Sequence, residues 1–530
     1  MIGLRKGALR ARMLKTSYYS EPKEIDTIVF EKLIPGDHLL RQFKKAIDFG
    51  PFRELVKDAY SPDMGRSAED PVRMIKLEIL QFYYGLSDRE VLKQLQVNVA
   101  YRYFLDLSLD SELPTSGLLS QFRQRLGQER HQVLFEEVIR QARQLGLVKD
   151  RLRLKDATHV IANVAIPTTI QLVAQTRERL LRSAKPYAQE RVAAEEQRAE
   201  EIRKVTADLS DIERLWQRVE HLRRIVNWAD EVQKSLGAPP EKGDLRRERF
   251  DGMLVVAHRI VDQSGDPDQK DRVRSSVDPD ARRGKHGAFY DGYELDISMD
   301  ADSELITAVD TPPANQDEAA NAARLVEREE QAHGNRIQSL SIDGIGFRGD
   351  VLRELKDPNG LDLVVYVPPR TFAKDASLYF TSADFHLEEN GMILVCPAEE
   401  QTQSRFRNDR DTAWMFFFKL SQCKLCPLLS NCMEKLPAKH GRQVNQSDYE
   451  AEFQAARDFA QTEAYAQVRK QHPKIERKLA EIIRYHQGRR TRFRGGWRVA
   501  IQYLMTALVV NLKRMAKLLQ PSACLSLADA

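Results

Sequence analysis

The sequence predicts an α/β protein in which helices flank one mixed sheet, an all-helical domain comes first, and a helical and a cysteine-bearing insertion interrupt the core. Three observations carry this. Over residues 25–147 apolar side chains recur at helical steps, and from Arg151 the period changes to two, with Leu152, Leu154, Asp156 and Thr158 alternating with Arg153, Lys155 and Ala157. Further on, segments follow in the order strand, hairpin, helix, strand, helix, strand. The chain has 530 residues, 42% hydrophobic and 30% charged, which excludes a disordered or collagen-like chain and is enough for at least one large core.

The helical domain spans 1–147. Asp70 and Pro71 suit a helix start, Val72, Ile75, Ile79, Phe82 and Tyr83 share one face, and Gly85 stops the helix. Ser87 with Glu90 forms a capping box for a second helix striped by Val91, Leu92 and Leu95. Helix, glycine turn, helix is the arrangement of a helix-turn-helix, and also of a plain helical bundle. Further helices are expected from Thr115 or Ser116 through Leu126, and over 129–145.

The sheet core begins at 148–174 and continues at 241–385. Between these parts, 175–240 is a Glu/Arg/Ala-rich insertion with apolar residues at three- and four-residue steps (Ile202, Val205, Leu209, Ile212), expected to pack on itself or on a second subunit. The stretch 237–287 reads as loop, dense in Asp, Arg, Pro and Gly, with one apolar run at 254–257. Segments 290–299 and 304–309 read as a hairpin, 319–331 as helix, 337–342 as a strand ending in Asp343, 351–357 as helix and 361–367 as a buried strand. A cysteine-bearing insertion occupies 386–445, and 446–520 holds a helix (Ile475, Leu479, Ile482, Ile483) leading into a basic stretch.

Charge distribution is more informative than the formal net of +4. From Arg469 to Lys517 fourteen basic residues face only Glu476 and Glu481, a local net of +12, with Arg489, Arg490, Arg492, Arg494 and Arg498 set among glycines. Such a surface suits phosphates. Two acids fall on apolar strand segments: Asp156, in register with Leu152 and Leu154, and Asp343, directly after Ile342. Neighbouring half-buried carboxylates repel unless a divalent cation sits between them, although a strand-end Asp also caps turns. Glu476 opens the helix that leads into the basic stretch, so a third acid and phosphate-binding charge coincide. Three carboxylates can hold two Mg²⁺ roughly 3.5–4 Å apart, a clamp for in-line phosphoryl displacement.

These residues resemble the DDE transposases of bacterial insertion sequences, whose catalytic core is ribonuclease H-like. Leu33-Ile34-Pro35, Asp37-His38, Phe82-Tyr83-Tyr84-Gly85-Leu86-Ser87 and Leu119-Ser120-Gln121-Phe122-Arg123 look like that family's N-terminal DNA-binding module. The resemblance implies Asp156 as the first catalytic acid, in Lys155-Asp156-Ala157-Thr158, with Ala157 where the family often has glycine. Asp278-Pro279-Asp280-Ala281-Arg282 with Gly292-Tyr293 is similar to the approach to the second strand, and 309–315 to the segment leaving the third. It implies Asp343 in Ile342-Asp343-Gly344 as the second acid and Glu476, eighteen residues before Arg494-Gly495, as the third, with Glu481 as the alternative. Ile483 stands where a basic residue is expected two turns after that glutamate, with Arg484 beside it. Gaps of 187 residues between Asp156 and Asp343 and 133 between Asp343 and Glu476 are absorbed by the insertions.

Cys396, Cys423, Cys426 and Cys432 lie within 37 residues, and Cys423-x2-Cys426 has the short spacing that tetrahedral zinc favours. A four-thiolate zinc site is the expectation, with His440 able to replace one thiolate, an iron–sulfur cluster as a minor alternative and free cysteines as the plain one; the resemblance includes a similar insertion. Cys524 stands apart. His159 is expected on the strand face opposite Asp156, Lys285-His286-Gly287 in a loop, and Trp414 with Phe416–Phe418 in a core beside the cysteines.

The expected protein is therefore a transposase that cleaves DNA at element ends and transfers the strand to target DNA, with Asp156, Asp343 and Glu476 holding Mg²⁺ or Mn²⁺. Arg123, Arg125, Arg484, Arg489, Arg490, Arg492, Arg494 and Arg498 are the expected DNA contacts. The partners are double-stranded DNA, meaning terminal inverted repeats and target, and further copies of the chain in a homo-oligomer. No GxxxxGK[ST] loop is present, so no nucleotide cofactor is expected. The longest apolar run, 501–512, is broken by Gln502, Tyr503 and Thr506, and a cytoplasmic protein without membrane association is expected. Rival readings are a nuclease on the same core that does not join strands, and a DNA-binding protein with a decayed site.

Overall fold

The computed structural model describes residues 13–15, 23–61, 67–238, 244–266, 268–370, 378–389, 391–402, 404–410 and 412–520. Cys524 lies outside them.

Among the described residues seven α-helices form the N-terminal part: α1 (Glu24–Leu33), α2 (Leu39–Ala46), α3 (Phe52–Leu55), α4 (Pro71–Tyr84), α5 (Asp88–Val97), α6 (Val99–Phe104) and α7 (Ser116–Gln144). The expected caps are present. Asp70 accepts from the Val72 amide at 3.1 Å, α4 ends on Gly85 at φ 68°, and Ser87 and Glu90 exchange capping bonds at the start of α5. The two helices expected on either side of residue 127 form one element with a break at Gly127 (φ 65°).

The central sheet contains β1 (Arg153–Ile161), β2 (Arg282–His286), β3 (Ala288–Asp300), β4 (Ile306–Asp310), β5 (Ser339–Ser341) and β6 (Val364–Tyr366), in the order β2-β3-β1-β5-β6 with β4 also paired to β3. Strand β1 runs antiparallel to β3 through nine pairs, from Arg153↔Asp300 to Ile161↔Gly292, and parallel to β5. Strands β5 and β6 are parallel. The two faces of β1 differ. Leu154 and Val160 face the main apolar core, whereas Arg153 and Lys155 are buried on ion pairs. Arg153 bonds Glu329 and Asp300, and Lys155 pairs with Asp296 at 3.2 Å.

The insertion consists of α8 (Thr169–Ala184), α9 (Gln189–Val205), α10 (Asp211–Ser235) and α11 (Leu245–Gly265). These four helices bury an apolar core of their own that includes Leu180, Leu222, Phe250 and Ile260, so the insertion packs on itself. Helix α11 corrects the loop expected over 237–287. Its arginines and acids mask an inward stripe of Phe250, Met253, Leu254, Ala257, Ile260 and Val261.

On the far edge, α12 (Asn321–His333) and α13 (Gly349–Leu355) cover β5 and β6. The cysteine-bearing part is built from β7 (His386–Leu387), β8 (Leu394–Val395), β9 (Ser404–Asn408), β10 (Ala413–Phe417), α14 (Leu420–Lys424), α15 (Leu429–Cys432) and β11 (Gln443–Ser447). It closes on a small core of Phe385, Leu394, Phe416, Phe418 and Val444. Helices α16 (Glu450–Ala460), α17 (Glu463–Arg469), α18 (Pro473–Tyr485) and α19 (Gly496–Leu518) complete the chain. Helix α19 explains the apolar run at 501–512. It is buried all round between α2, α4 and α7 on one side and β4 on the other, so the N-terminal helices and the sheet share one core. Among the described residues no helix is long and apolar enough to cross a membrane.

Candidate active site

Parallel pairing places the first two acids together. Leu154 pairs with Ser341, and two residues further along each chain stand Asp156 and Asp343. The period of two turns both toward the same side. Asp156 accepts from the Ala157 amide at 2.8 Å, and Asp343 caps a short turn by accepting from the Ile345 amide at 3.2 Å.

A third carboxylate joins them that the sequence did not suggest. Glu318, in the segment between β4 and α12, completes a group with Asp156 and Asp343 whose ligand oxygens all lie within 4.8 Å of one another, each residue half-buried. Lys155 fixes that segment, donating to the Glu318 carbonyl at 3.1 Å and to its carboxylate at 3.4 Å. Among the described residues this is the one group of three or more acid, histidine or cysteine side chains close enough to hold a cation together.

The electrostatics match. Burial, with the charges of Glu318 and Asp343, pushes the Asp156 carboxyl up to about 7. Burial and nearby acids likewise push Glu294 up to about 7, and burial raises Asp296 to about 6. Protons or a cation must offset this concentration of carboxylates. Lys155 supplies one positive charge: burial opposes its protonation, but Asp296, Glu318 and Asp343 hold its pKa above the ordinary lysine value.

Glu476 stands in the first turn of α18, exposed, and is not one of the three acids with clustered oxygens. It is nevertheless a neighbour. Arg469, at the end of α17, donates to the Ser341 hydroxyl at 3.0 Å and the Ile342 carbonyl at 2.8 Å. Burial lowers its pKa, while Asp343, Glu476 and Asp156 all act on its charge to raise it. Glu481 turns away, paired with Lys513 at 2.7 Å and Lys478 at 3.1 Å.

The basic stretch runs along the end of β1. The Arg489 carbonyl accepts from the Ile161 amide at 2.9 Å, Ile161 accepts from Thr491 at 3.0 Å, and the Arg494 guanidinium donates to the Asn163 carbonyl at 3.0 Å. Gly495, at φ 89°, donates its amide to Asp278 and Gly496 donates to Asp280, so the Asp278-Pro279-Asp280 motif anchors this turn. Arg484, Arg490, Arg494 and Arg498 are exposed, as is Arg125, which stacks on Tyr60. Arg489 is held inward by Thr158 and the His159 carbonyl, and Arg492 by the Leu86 carbonyl and the Phe82 ring. Arg123 departs from the expected DNA contacts. It is 7% exposed and bound to Glu78, Gln81 and Asp88, an interior ion-pair residue that ties α7 to α4 and α5. His159 stacks against His286 at 4.8 Å and Tyr290 at 5.2 Å; Lys285 and His286 lie in β2, not in a loop.

The four cysteines of the cysteine-bearing part are half-buried, and Cys396, Cys423 and Cys432 pack against its aromatic core. Burial and the other cysteines raise the pKa of Cys423 and of Cys432, but no three sulfurs lie within 4.8 Å of one another among the described residues. His440 is exposed beside Phe417.

Two family models match the chain. One, a transposase domain (DUF772), covers residues 28–125, and the other, a transposase DDE domain, covers residues 395–516. The first match lies in the N-terminal helices. The second contains Glu476, the basic stretch and the four cysteines, whereas Asp156, Glu318 and Asp343 lie between the two. No curated protein and no solved structure matches the chain.

Proposed function

We propose that the chain, which matches a transposase domain over 28–125 and a transposase DDE domain over 395–516, is a DDE transposase of the insertion-sequence type that cuts DNA at the ends of its element and joins the freed 3′ hydroxyls to target DNA. The observation that carries the chemistry is the meeting of Asp156 within β1, Asp343 just after the parallel strand β5 and Glu318 from the segment between β4 and α12, with the Asp156 carboxyl pushed up to about 7. A ribonuclease H-like core is the reading of this sheet, supported by the antiparallel pairing of β1, β3 and β4 followed by the parallel strands β5 and β6, with β2 added antiparallel to β3.

Asp156 and Asp343 would hold the divalent cations, Mg²⁺ or Mn²⁺, with Glu318 closing the group and Glu476 reaching it from α18. The bound metal supplies activation of water or of a 3′ hydroxyl and stabilises the leaving oxygen. In the first step the water oxygen bonds to the scissile phosphorus as the P–O3′ bond breaks, and the proton released by the water passes to O3′, leaving a 3′ hydroxyl and a 5′ phosphate. In the second, that 3′ oxygen bonds to a target phosphorus and releases a target 3′ hydroxyl. Lys155 keeps Glu318 in place, and Arg469 holds the Ser341–Ile342 strand end from which Asp343 projects. Arg484, Arg490, Arg494 and Arg498 would hold the backbone phosphates. The N-terminal helices would recognise the ends, and two copies or more would bridge them. The protein would work in the cytoplasm.

The test is a cleavage and joining assay on DNA flanking the reading frame, with Mg²⁺ or Mn²⁺, comparing wild type with Asp343→Asn. Metal-dependent nicks at a fixed end position followed by joined products, both lost in the variant, support the transferase. Nicks without joining would point to a nuclease, and specific binding without cutting to a decayed site.

A further inference from the structure

On the outer helices of the insertion, arginines pair with acids of the preceding turn: Arg203 with Glu200, Arg214 with Asp211 and Arg223 with Glu220. Where α8 meets α11 the pattern changes. Among the described residues, no carboxylate lies within ion-pair distance of Arg179 or Arg182 on α8 or of Arg249 on α11, and the buried Nε of Arg179 has no hydrogen-bond partner. Arg182 and Arg249 are exposed. Burial holds the Arg179 guanidinium below its usual range, and the charges of Arg182, Arg494 and Arg249 add to the effect, so Arg179 feels three other cations and has no ion-paired carboxylate. Like charges gathered around an orphaned buried donor cost free energy that a bound anion would recover.

Arg494 shows how the cluster connects to the active site. It bonds the Asn163 carbonyl at the end of β1, the strand that carries Asp156, and α8 begins six residues later. A cationic track thus leads from the basic stretch along the β1 end onto the α8–α11 face.

We propose that the four-helix insertion is a DNA-binding element, in which Arg179, Arg182 and Arg249 together with Arg494 seat phosphates of a duplex whose neighbouring segment lies in the active site. This rests on the transposase reading and extends it to a part of the chain that neither family match covers. The ligand is a run of backbone phosphates, so the contribution is independent of base sequence and sensitive to salt.

The test is duplex binding by the full-length protein across a salt series, measured by fluorescence anisotropy on an element-end oligonucleotide. Replacing Arg179, Arg182 and Arg249 together by Ala should reduce the steepness of log K against log salt by about 2 to 3, since each lost phosphate contact is worth ~0.9. The corresponding Lys variant should keep the wild-type slope. An unchanged slope in the Ala variant overturns the proposal and leaves the transposase reading standing. A Lys variant that loses as much as the Ala variant also overturns it, because the loss is then structural and not one of charge. A wild-type protein that does not bind duplex DNA overturns both.

Discussion

Replacing Asp156 with Asn should stabilise the metal-free sheet at alkaline pH while abolishing its response to Mg²⁺. In the folded protein the carboxyl is pushed from 3.8 to about 7, chiefly by burial. A carboxyl with a raised folded pKa favours folding only while protonated. Its contribution is complete below the unfolded value and is lost as pH rises through about 7. Between pH 5 and pH 8 the loss amounts to about 2.5 kcal/mol, from 1.36 kcal/mol per pKa unit. The Asn side chain does not titrate, so Asp156→Asn should gain that amount over wild type across this interval in chelator. A chain with several cores need not unfold in one step, so hydrogen exchange of peptides from β1 and β5, read as the ratio of the two proteins at each pH, is the suitable assay. The ratio should change roughly 70-fold from pH 5 to pH 8. Mg²⁺ should protect wild type by about 2.7 kcal/mol at a hundred times its dissociation constant and the variant much less. A pH-independent ratio, with equal Mg²⁺ protection of both proteins, would refute the assignment of Asp156 to a cation site.

Three further outcomes are expected. Glu318→Gln should weaken Mg²⁺ binding to the DNA-free protein, measured calorimetrically, at least tenfold, because it removes one of three clustered carboxylates; Glu476→Gln should leave that binding within about threefold of wild type and act on strand cleavage, and the reverse pattern would make Glu476 the resident ligand. Arg123→Ala should cost about 3–5 kcal/mol in stability by leaving the buried Glu78 without its arginine and with His131 alone beside it, and should leave the salt dependence of DNA binding unchanged; Arg490→Ala should do the opposite, and unfolding midpoints with anisotropy titrations separate the two. Cys396, Cys423, Cys426 and Cys432 should resist a thiol reagent until a strong chelator is added if they hold zinc, and rapid modification of the untreated protein would show free thiols.

Much of the strand framework was legible because β1 is two-faced. The alternation of Leu152, Leu154 and Asp156 with Arg153 and Lys155 follows from one side of the strand meeting α18 and the main apolar core and the other meeting ion-paired polar groups. The capping residues Asp70, Ser87 and Glu90 marked helix ends for the same local reason, since the bonds they make lie within a few residues. Helix α11 was hidden because its solvent side carries Arg246, Glu248 and Arg249, and this charge density gives the composition of a loop while the inward stripe does the packing. The inward direction of Arg123 was equally invisible. Its partners Glu78 and Asp88 lie 45 and 35 residues away, and sequence pattern cannot distinguish an arginine aimed at phosphates from one aimed at a buried glutamate.

The candidate site divides along the same line. Asp156 and Asp343 could be singled out because each interrupts or terminates an apolar strand, a placement that carries an electrostatic penalty in any fold, and parallel pairing then brings them together. Glu318 gives no such signal. It sits in a polar segment, Gln316-Asp317-Glu318, where an acid is unremarkable, and only the return of the chain after β4 and the grip of Lys155 bring it to the pair. Glu476 is the converse case, named by spacing to Arg494-Gly495 and found on an exposed helical turn that communicates with the acids through Arg469. Glu318 is locked to the sheet by Lys155, whereas Glu476 stands on a separate helix beside the basic stretch. A resident metal ligand should belong to the rigid strand framework, and an acid needed only once a phosphodiester is in place can stand on the element that meets DNA. On the proposed function the two glutamates therefore fit different stages of one reaction: Glu318 would hold the cation before DNA arrives, and Glu476 would act when substrate lies against α18.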